Sequence, residues 1–397
     1  MAADSPQIRS MPQSLKPHHH LVQAGTAALR RGDAAVARQA FERLVATGAA
    51  DAEALLGLAY ACVALNDSAA ALRAVEELLV LEPQSLLGLS QKADLLLAAG
   101  DSSGALGFYR AAVRAVPDGA ALPPALLAER ERAATMQQRL IDQLAADLRR
   151  SIGAPSSSRF AQALDILFGQ RQIFPSQPRH FYLPELPTIQ FHDRRSFAWL
   201  DAVEAATDDI RAEMLALIDD EAALSPYVQS DPRRPPPRGD GLADNPAWSA
   251  CYLWKNGRTV AEHAARCPRT MAVLAGTPMT QMPGRSPSAL FSVLRPGAHI
   301  PPHHGFVNSR LIVHLPLVVP KGCALRVGNE TREWVEGSAW AFDDTIEHEA
   351  WNRSDHTRVI LLFEVWRPEL SMAEREQVRA MFEAIDRSSG TPSDWSI

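Results

Sequence analysis

Cysteine is scarce and scattered. Cys62, Cys251, Cys267 and Cys323 lie far apart with no C-x-x-C pair, which excludes a zinc knuckle or a disulfide framework and predicts reduced, buried thiols. Long apolar runs are missing too: nowhere do about 18 apolar residues pass without a charge, as a spanning helix requires. The opening MAADSPQIRSMPQSLKPHHH lacks the apolar core of a secretory signal. The expectation is a cytoplasmic protein with no membrane partner. Positive charge is not in excess, since the formal net charge is -6, and no basic run is interleaved with aromatics, so nucleic acid is not an expected partner. What remains is an ordinary globular composition, 46% hydrophobic and 22% charged. The 397 residues exceed what one compact core holds, and two or three domains are expected.

The strongest pattern present is self-similarity at a period of 34 residues between 18 and 118. Asp33, Asp67 and Asp101 stand one period apart, and each follows Gly32, Asn66 or Gly100. That pairing closes one helix with a left-handed residue and caps the next with aspartate. The same step relates the small residues Gly25, Ala59 and Ala93, which let paired helices approach. It also relates Ala37, Ala71 and Ala105, then Phe41, Val75 and Tyr109, then Pro83 and Pro117. The stretch resembles tetratricopeptide repeats, a helical solenoid whose concave face implies a peptide or protein partner. The alternative is that the repeats only dock against the rest of the chain.

Apolar residues three and four apart continue the helical pattern through 119–180, a cap and linker, and a domain boundary is expected near 175–185. SFAWLDAVEAATDDIRAEMLALIDDEAAL reads as one amphipathic helix, and the proline-rich 230–246 reads as a loop carrying solvated Arg233 and Arg234. Beyond it the texture becomes β, with SALFSVL, RLIVHLPLVV, CALRVGN, TREWVEG, SAWAF and TRVILLFEVW separated by turn residues. Such short, close-spaced strands over 181–397 imply a sandwich, barrel or jelly roll, followed by a surface helix in SMAEREQVRAMFEAIDRS.

Histidines 303, 304, 314 and 348 crowd into this β region, and that density invites a metal reading. The tract His18, His19, His20 is read as solvated. His303 opens an H-x-D/E-like element, but Gly305 stands where a carboxylate would complete a three-ligand set.

The segments SVLRPGAHIPPHHGFVNSRLIVHLPLVVP and FDDTIEHEAWNRSDHTRVILLFEVWRPEL closely resemble aspartyl/asparaginyl β-hydroxylases, whose iron is held by two histidines with glycine at the third place. The resemblance runs from YLPELPTIQF near 182 through YLWKNG to RPEL and covers roughly half the chain. It implies a multidomain α + β protein: an N-terminal solenoid, then a double-stranded β-helix that uses Fe(II), 2-oxoglutarate and O2. On the matching positions, His303 and His348 become iron ligands, while Ser292 and Arg358 bind the distal carboxylate of 2-oxoglutarate. His314 becomes a hydrogen-bond donor to the co-substrate, Trp254 a pocket wall, and Asp343 and Asp344 supports for His348. Arg310 becomes a substrate contact, the first half of an R-x-R element whose second place holds Ile312. That missing cation weakens the case for an aspartate substrate and leaves poses using Arg295, Arg310 or Arg326 open. The implied activity is β-carbon hydroxylation of an Asp/Asn-type residue in a peptide or protein. Its rivals are an oxygenase acting on a small molecule or free amino acid, and a silent jelly-roll binding module.

Overall fold

In the computed structural model, residues 19–117, 119, 121–230 and 243–389 are described. His18, Arg233 and Arg234 lie outside them, as does most of the proline-rich loop. The chain divides into two compact units, Met1–Phe168 and Gly169–Ile397.

The first unit is helical. Its elements are α1 (His19–Arg30), α2 (Ala34–Ala46), α3 (Ala52–Ala64), α4 (Ser68–Leu81), α5 (Leu86–Ala98), α6 (Ser102–Arg114), α7 (Pro124–Ile152) and α8 (Ser158–Leu167). The inter-helix turns follow the chemistry of the repeat. Gly32, Asn66 and Gly100 have φ of 81°, 59° and 85°, and the next residue caps the following helix, Asp67 accepting from the Ala70 amide at 3.0 Å and Asp101 from Gly104 at 2.8 Å. The small positions are where packing is tightest. Phe41, 1% exposed, is wedged between helices so closely that a Cβ on Gly25 or Gly57 would lie 2.6 or 2.4 Å from its ring. At the other end Asp94 of α5 accepts the Tyr109 hydroxyl of α6 and two Arg132 bonds from α7, at 3.0 and 2.8 Å, fastening the long helix onto the stack.

The second unit is built on two antiparallel sheets. Its strands are β1 (Ser225–Pro226), β2 (Trp248–Lys255), β3 (Arg258–Thr259), β4 (Ala289–Leu294), β5 (His299–His303), β6 (Arg310–Val318), β7 (Cys323–Val327), β8 (Glu330–Glu333), β9 (Trp340–Phe342), β10 (His348–Asn352) and β11 (Arg358–Trp366). The larger sheet runs β1-β2-β4-β11-β6-β9 with β3 on β2, and the smaller runs β5-β10-β7-β8. The six strand segments read from the sequence are all present; β1, β2, β3, β5 and β10 were not among them. Pro301 and Pro302 disguise β5, which tolerates them because it is an edge strand paired only with β10.

β11 and β6 are buried on both faces. One face packs on the helices Leu200–Ala205, Thr207–Ile218 and Pro268–Ala275, in a core holding Val359, Leu361, Phe363 and Val365. The other face looks into the interior shared with the smaller sheet. The amphipathic stretch expected as one helix is interrupted at Ala206, where the Thr207 hydroxyl bonds back to the Glu204 carbonyl at 2.6 Å. The extended stretch after Phe168 packs with the β unit: the amides of Gln177 and Arg179 donate to Thr345 and Gly305 carbonyls at 2.7 and 3.0 Å. The surface helix spans Met372–Ser389. The four cysteines are free and buried.

Gly57→Ala should destabilise the chain, because overpacking against Phe41 costs roughly 1–3 kcal/mol while a helical glycine-to-alanine change returns about 1. Thermal unfolding should show a lower Tm for G57A and recovery in G57A/F41L; an unchanged Tm would contradict the wedge.

Candidate functional site

One strand period places most of the site. On β11, Arg358, Ile360, Leu362 and Glu364 alternate onto the interior face; on β6 Arg310, Ile312 and His314 do so, and on β4 Leu290 and Ser292. Together with His303 of β5, His348 of β10 and Leu325 of β7, they line one cavity between the two sheets.

His303 and His348 are cross-strand partners, and their rings lie 4.0 Å apart between centroids at 49°. The Nδ1 of His303 sits 2.8 Å from the Pro301 carbonyl, and that of His348 sits 3.1 Å from Ile346. A carbonyl only accepts, so each Nδ1 carries the proton and each Nε2 keeps its lone pair. Burial pushes the pKa of His348 down to about 4; burial and then the neighbouring imidazole hold His303 well below its ordinary value. Two neutral, oriented imidazoles result, which is the protonation state a divalent metal needs.

No carboxylate can be added at the third place. A Cβ on Gly305 would meet Asp344 Oδ2 at 2.1 Å, and that carboxylate is buried and paired with Arg310 Nη2 at 3.2 Å. Among the described residues no group of three or more His, Cys, Asp or Glu side chains is arranged to hold a metal. The donor set is therefore two imidazoles, with Asp344 beside them. It fits a divalent metal ion that takes its remaining ligands from small molecules. Asp343 does not support His348: its carboxylate pairs with Arg367 at 2.8 Å and accepts from Thr345. The Ile346 and Pro301 carbonyls orient the rings instead.

Arg358 dominates the other end. It is 1% exposed, and no carboxylate among the described residues pairs with it. Its Nη1 donates to Ser292, at 3.2 Å to the carbonyl and 3.3 Å to the hydroxyl, while its Nε has no partner among the described residues. Burial lowers its pKa to about 10. The Trp334 ring 4.9 Å away offers only partial compensation. Ser292 Oγ also accepts from Trp248 Nε1 at 3.2 Å, so with two donors pointed at it the hydroxyl's own proton is left to donate. His314, whose Nδ1 is buried without a partner among the described residues, is kept neutral by burial and then by Arg358. An uncompensated cation and unsatisfied polar groups in one buried corner fit an anionic ligand carrying a carboxylate.

Trp254 is not part of this cavity. A register shift between Tyr252 and Trp254 breaks the alternation of β2, and Trp254 packs against the helix-side core. The tryptophans that line the cavity are Trp248, stacked at 4.0 Å on Tyr227 and tilted toward His303, and Trp334. Strand alternation on β2, counted from Trp248 through Ala250 to Tyr252, would have found the first. Alternation on β11 would likewise have found Glu364, which accepts the Ser286 hydroxyl at 2.5 Å and lies 3.5 Å from Arg310 Nε. Arg326 is engaged by Glu347 and Glu349 outside the cavity, and Arg295 is exposed.

Residues 204–368 match the family model described as aspartyl/asparaginyl beta-hydroxylase, and residues 22–85 and 63–120 match tetratricopeptide repeats. The human "Aspartyl/asparaginyl beta-hydroxylase" is 38% identical over 36% of this chain and 19% of its own length. The "Ornithine lipid ester-linked acyl 2-hydroxylase" of Rhizobium tropici is 32% identical over 45% of this chain and 60% of its own length. Each alignment thus spans less than two thirds of the relative. Among solved structures, PcrH from Pseudomonas aeruginosa matches 31% of this chain and 90% of its own, at 24% identity and a TM-score of 0.28.

Gly305→Ala should displace Asp344 and cost roughly 1–3 kcal/mol of stability by overpacking. Calorimetry should show a lowered Tm for G305A; a G305A protein as stable as wild type would show that Asp344 does not fill that space.

Proposed function

The β unit carries an aspartyl/asparaginyl beta-hydroxylase domain and the helical unit is a run of tetratricopeptide repeats, and from that premise we propose that the protein is a Fe(II)- and 2-oxoglutarate-dependent dioxygenase. It hydroxylates a side chain of a peptide or protein, at the β-carbon of an Asp/Asn-type residue, and the repeats hold that substrate or a partner. The observation that carries this reading is the buried Arg358 guanidinium, which has no carboxylate partner among the described residues.

His303 and His348 would hold the ferrous ion through Nε2. Arg358, the Ser292 hydroxyl and His314 would bind the co-substrate, the guanidinium presenting its donors to the distal carboxylate as charge-assisted hydrogen bonds. The metal and co-substrate together supply, with O2, the oxidising power to insert oxygen into a C–H bond. The chain's own work is placement and exclusion of water. Trp248, Phe342, Leu290, Ile300 and Leu362 make the walls apolar, and Arg310, held between Asp344 and Glu364, would be the substrate contact.

A silent binding module is disfavoured, because a buried arginine with no function for its charge is a standing cost. A second reading, an oxygenase acting on a small molecule, is favoured by the name of the Rhizobium relative and by the same apolar walls. A reducing, cytoplasmic location is part of this proposal and is supported by the free, buried thiols.

Anaerobic addition of Fe(II) and 2-oxoglutarate to the metal-free protein should raise a visible charge-transfer band that His303→Ala and His348→Ala abolish. A folded wild-type protein without the band would refute the oxygenase reading.

A further inference from the structure

The end of the cavity remote from Arg358 has a charge arrangement that the reaction class does not explain. Ile312 and Glu364 are direct cross-strand partners on β6 and β11, and both line the cavity. An arginine at position 312 would stand beside Glu364 and supply a second cation; isoleucine leaves that carboxylate to Arg310. Arg310 is already committed, with Asp344 at 3.2 Å and Glu364 at 3.5 Å. The other lysine or arginine side chains among the described lining residues are Arg358, at the opposite end of β11, and Lys255, which is partly exposed and donates to Gln229 at 3.2 Å. Two buried carboxylates thus share one buried guanidinium.

We propose that Ile312 and Glu364 make this end a charge filter, which admits an uncharged carboxamide-type group and turns away a carboxylate. The inference rests on the oxygenase reading and narrows its substrate. An incoming carboxylate would be a third anion against one cation, in a place where like charges are weakly screened. Hydrogen-bond supply points the same way. Arg310 Nη1 and Asp344 Oδ1 are both buried and without partners among the described residues, one a donor and the other an acceptor. A carboxamide carries a complement for each, an oxygen that can take an Arg310 proton and an NH2 that can donate to Asp344. A carboxylate satisfies only the first and confronts Asp344 with another anion.

The test uses two peptide pools identical except for asparagine or aspartate at the central position, presented to the full chain loaded with Mn(II) and 2-oxoglutarate. Wild type should capture the asparagine pool at least about tenfold better. Ile312→Arg should reverse the preference, and the isosteric Glu364→Gln should shrink it to within about threefold even if a buried arginine at 312 impairs folding. Equal capture of both pools by wild type, including capture of neither, or a preference for aspartate, would overturn the filter. The same preparation is scored for its rise in Tm on adding Mn(II) and 2-oxoglutarate. A normal rise with equal capture defeats the filter alone, whereas no rise defeats the oxygenase reading beneath it.

Discussion

A single guanidinium, buried on the central strand of the larger sheet and lacking a carboxylate among the described residues, sets the terms for everything around it. Taking Arg358 out of water is costly, and the surrounding protein repays only part of that through Ser292 and the face of Trp334. The sheet must therefore be stable enough to hold it: β11 lies between β4 and β6, and its alternate residues are locked into the helix-side core. The same alternation that buries Val359, Leu361, Phe363 and Val365 turns Arg358, Ile360, Leu362 and Glu364 into the cavity. Packing and site are two faces of one strand.

That strand also acts as a ruler. At about 3.3 Å per residue, its six-residue step from Arg358 to Glu364 separates the two ends by roughly 20 Å. A lone cation stands at one end and two carboxylates sharing the Arg310 guanidinium at the other, with the paired imidazoles arriving from the smaller sheet. The crowding of Gly305 against Asp344 leaves no room for a third side-chain donor beside His303 and His348: the space it would need is filled by a carboxylate paired with Arg310.

Much of this was legible in the sequence, unevenly. The repeat chemistry was fully readable because each turn depends on local residues, Gly32, Asn66 and Gly100 in left-handed backbone and aspartates capping behind them. Strands with continuous β-branched runs were visible; β5 and β10 were not, because prolines and charged residues mask short segments whose partners are distant in sequence. His303 and His348 were found through motif resemblance, and the pairing of β5 with β10 brings their rings together. Trp254 was misplaced by one bulge, which a sequence cannot announce, and Trp248 does the lining instead. Asp343 looked like a support for His348, but its true partner, Arg367, lies 24 residues away in sequence, beyond any local pattern.

The account stands or falls on what neutralises Arg358. Calorimetric titration of the Mn(II)-loaded protein with 2-oxoglutarate and with 2-oxobutyrate, which lacks the distal carboxylate, isolates that interaction. The dicarboxylate should bind at least about tenfold tighter, since a charge-assisted bond to a buried cation is worth roughly 1.5–3 kcal/mol or more, and Arg358→Gln should erase the difference. Equal affinity for the two acids in wild-type protein would contradict the claim.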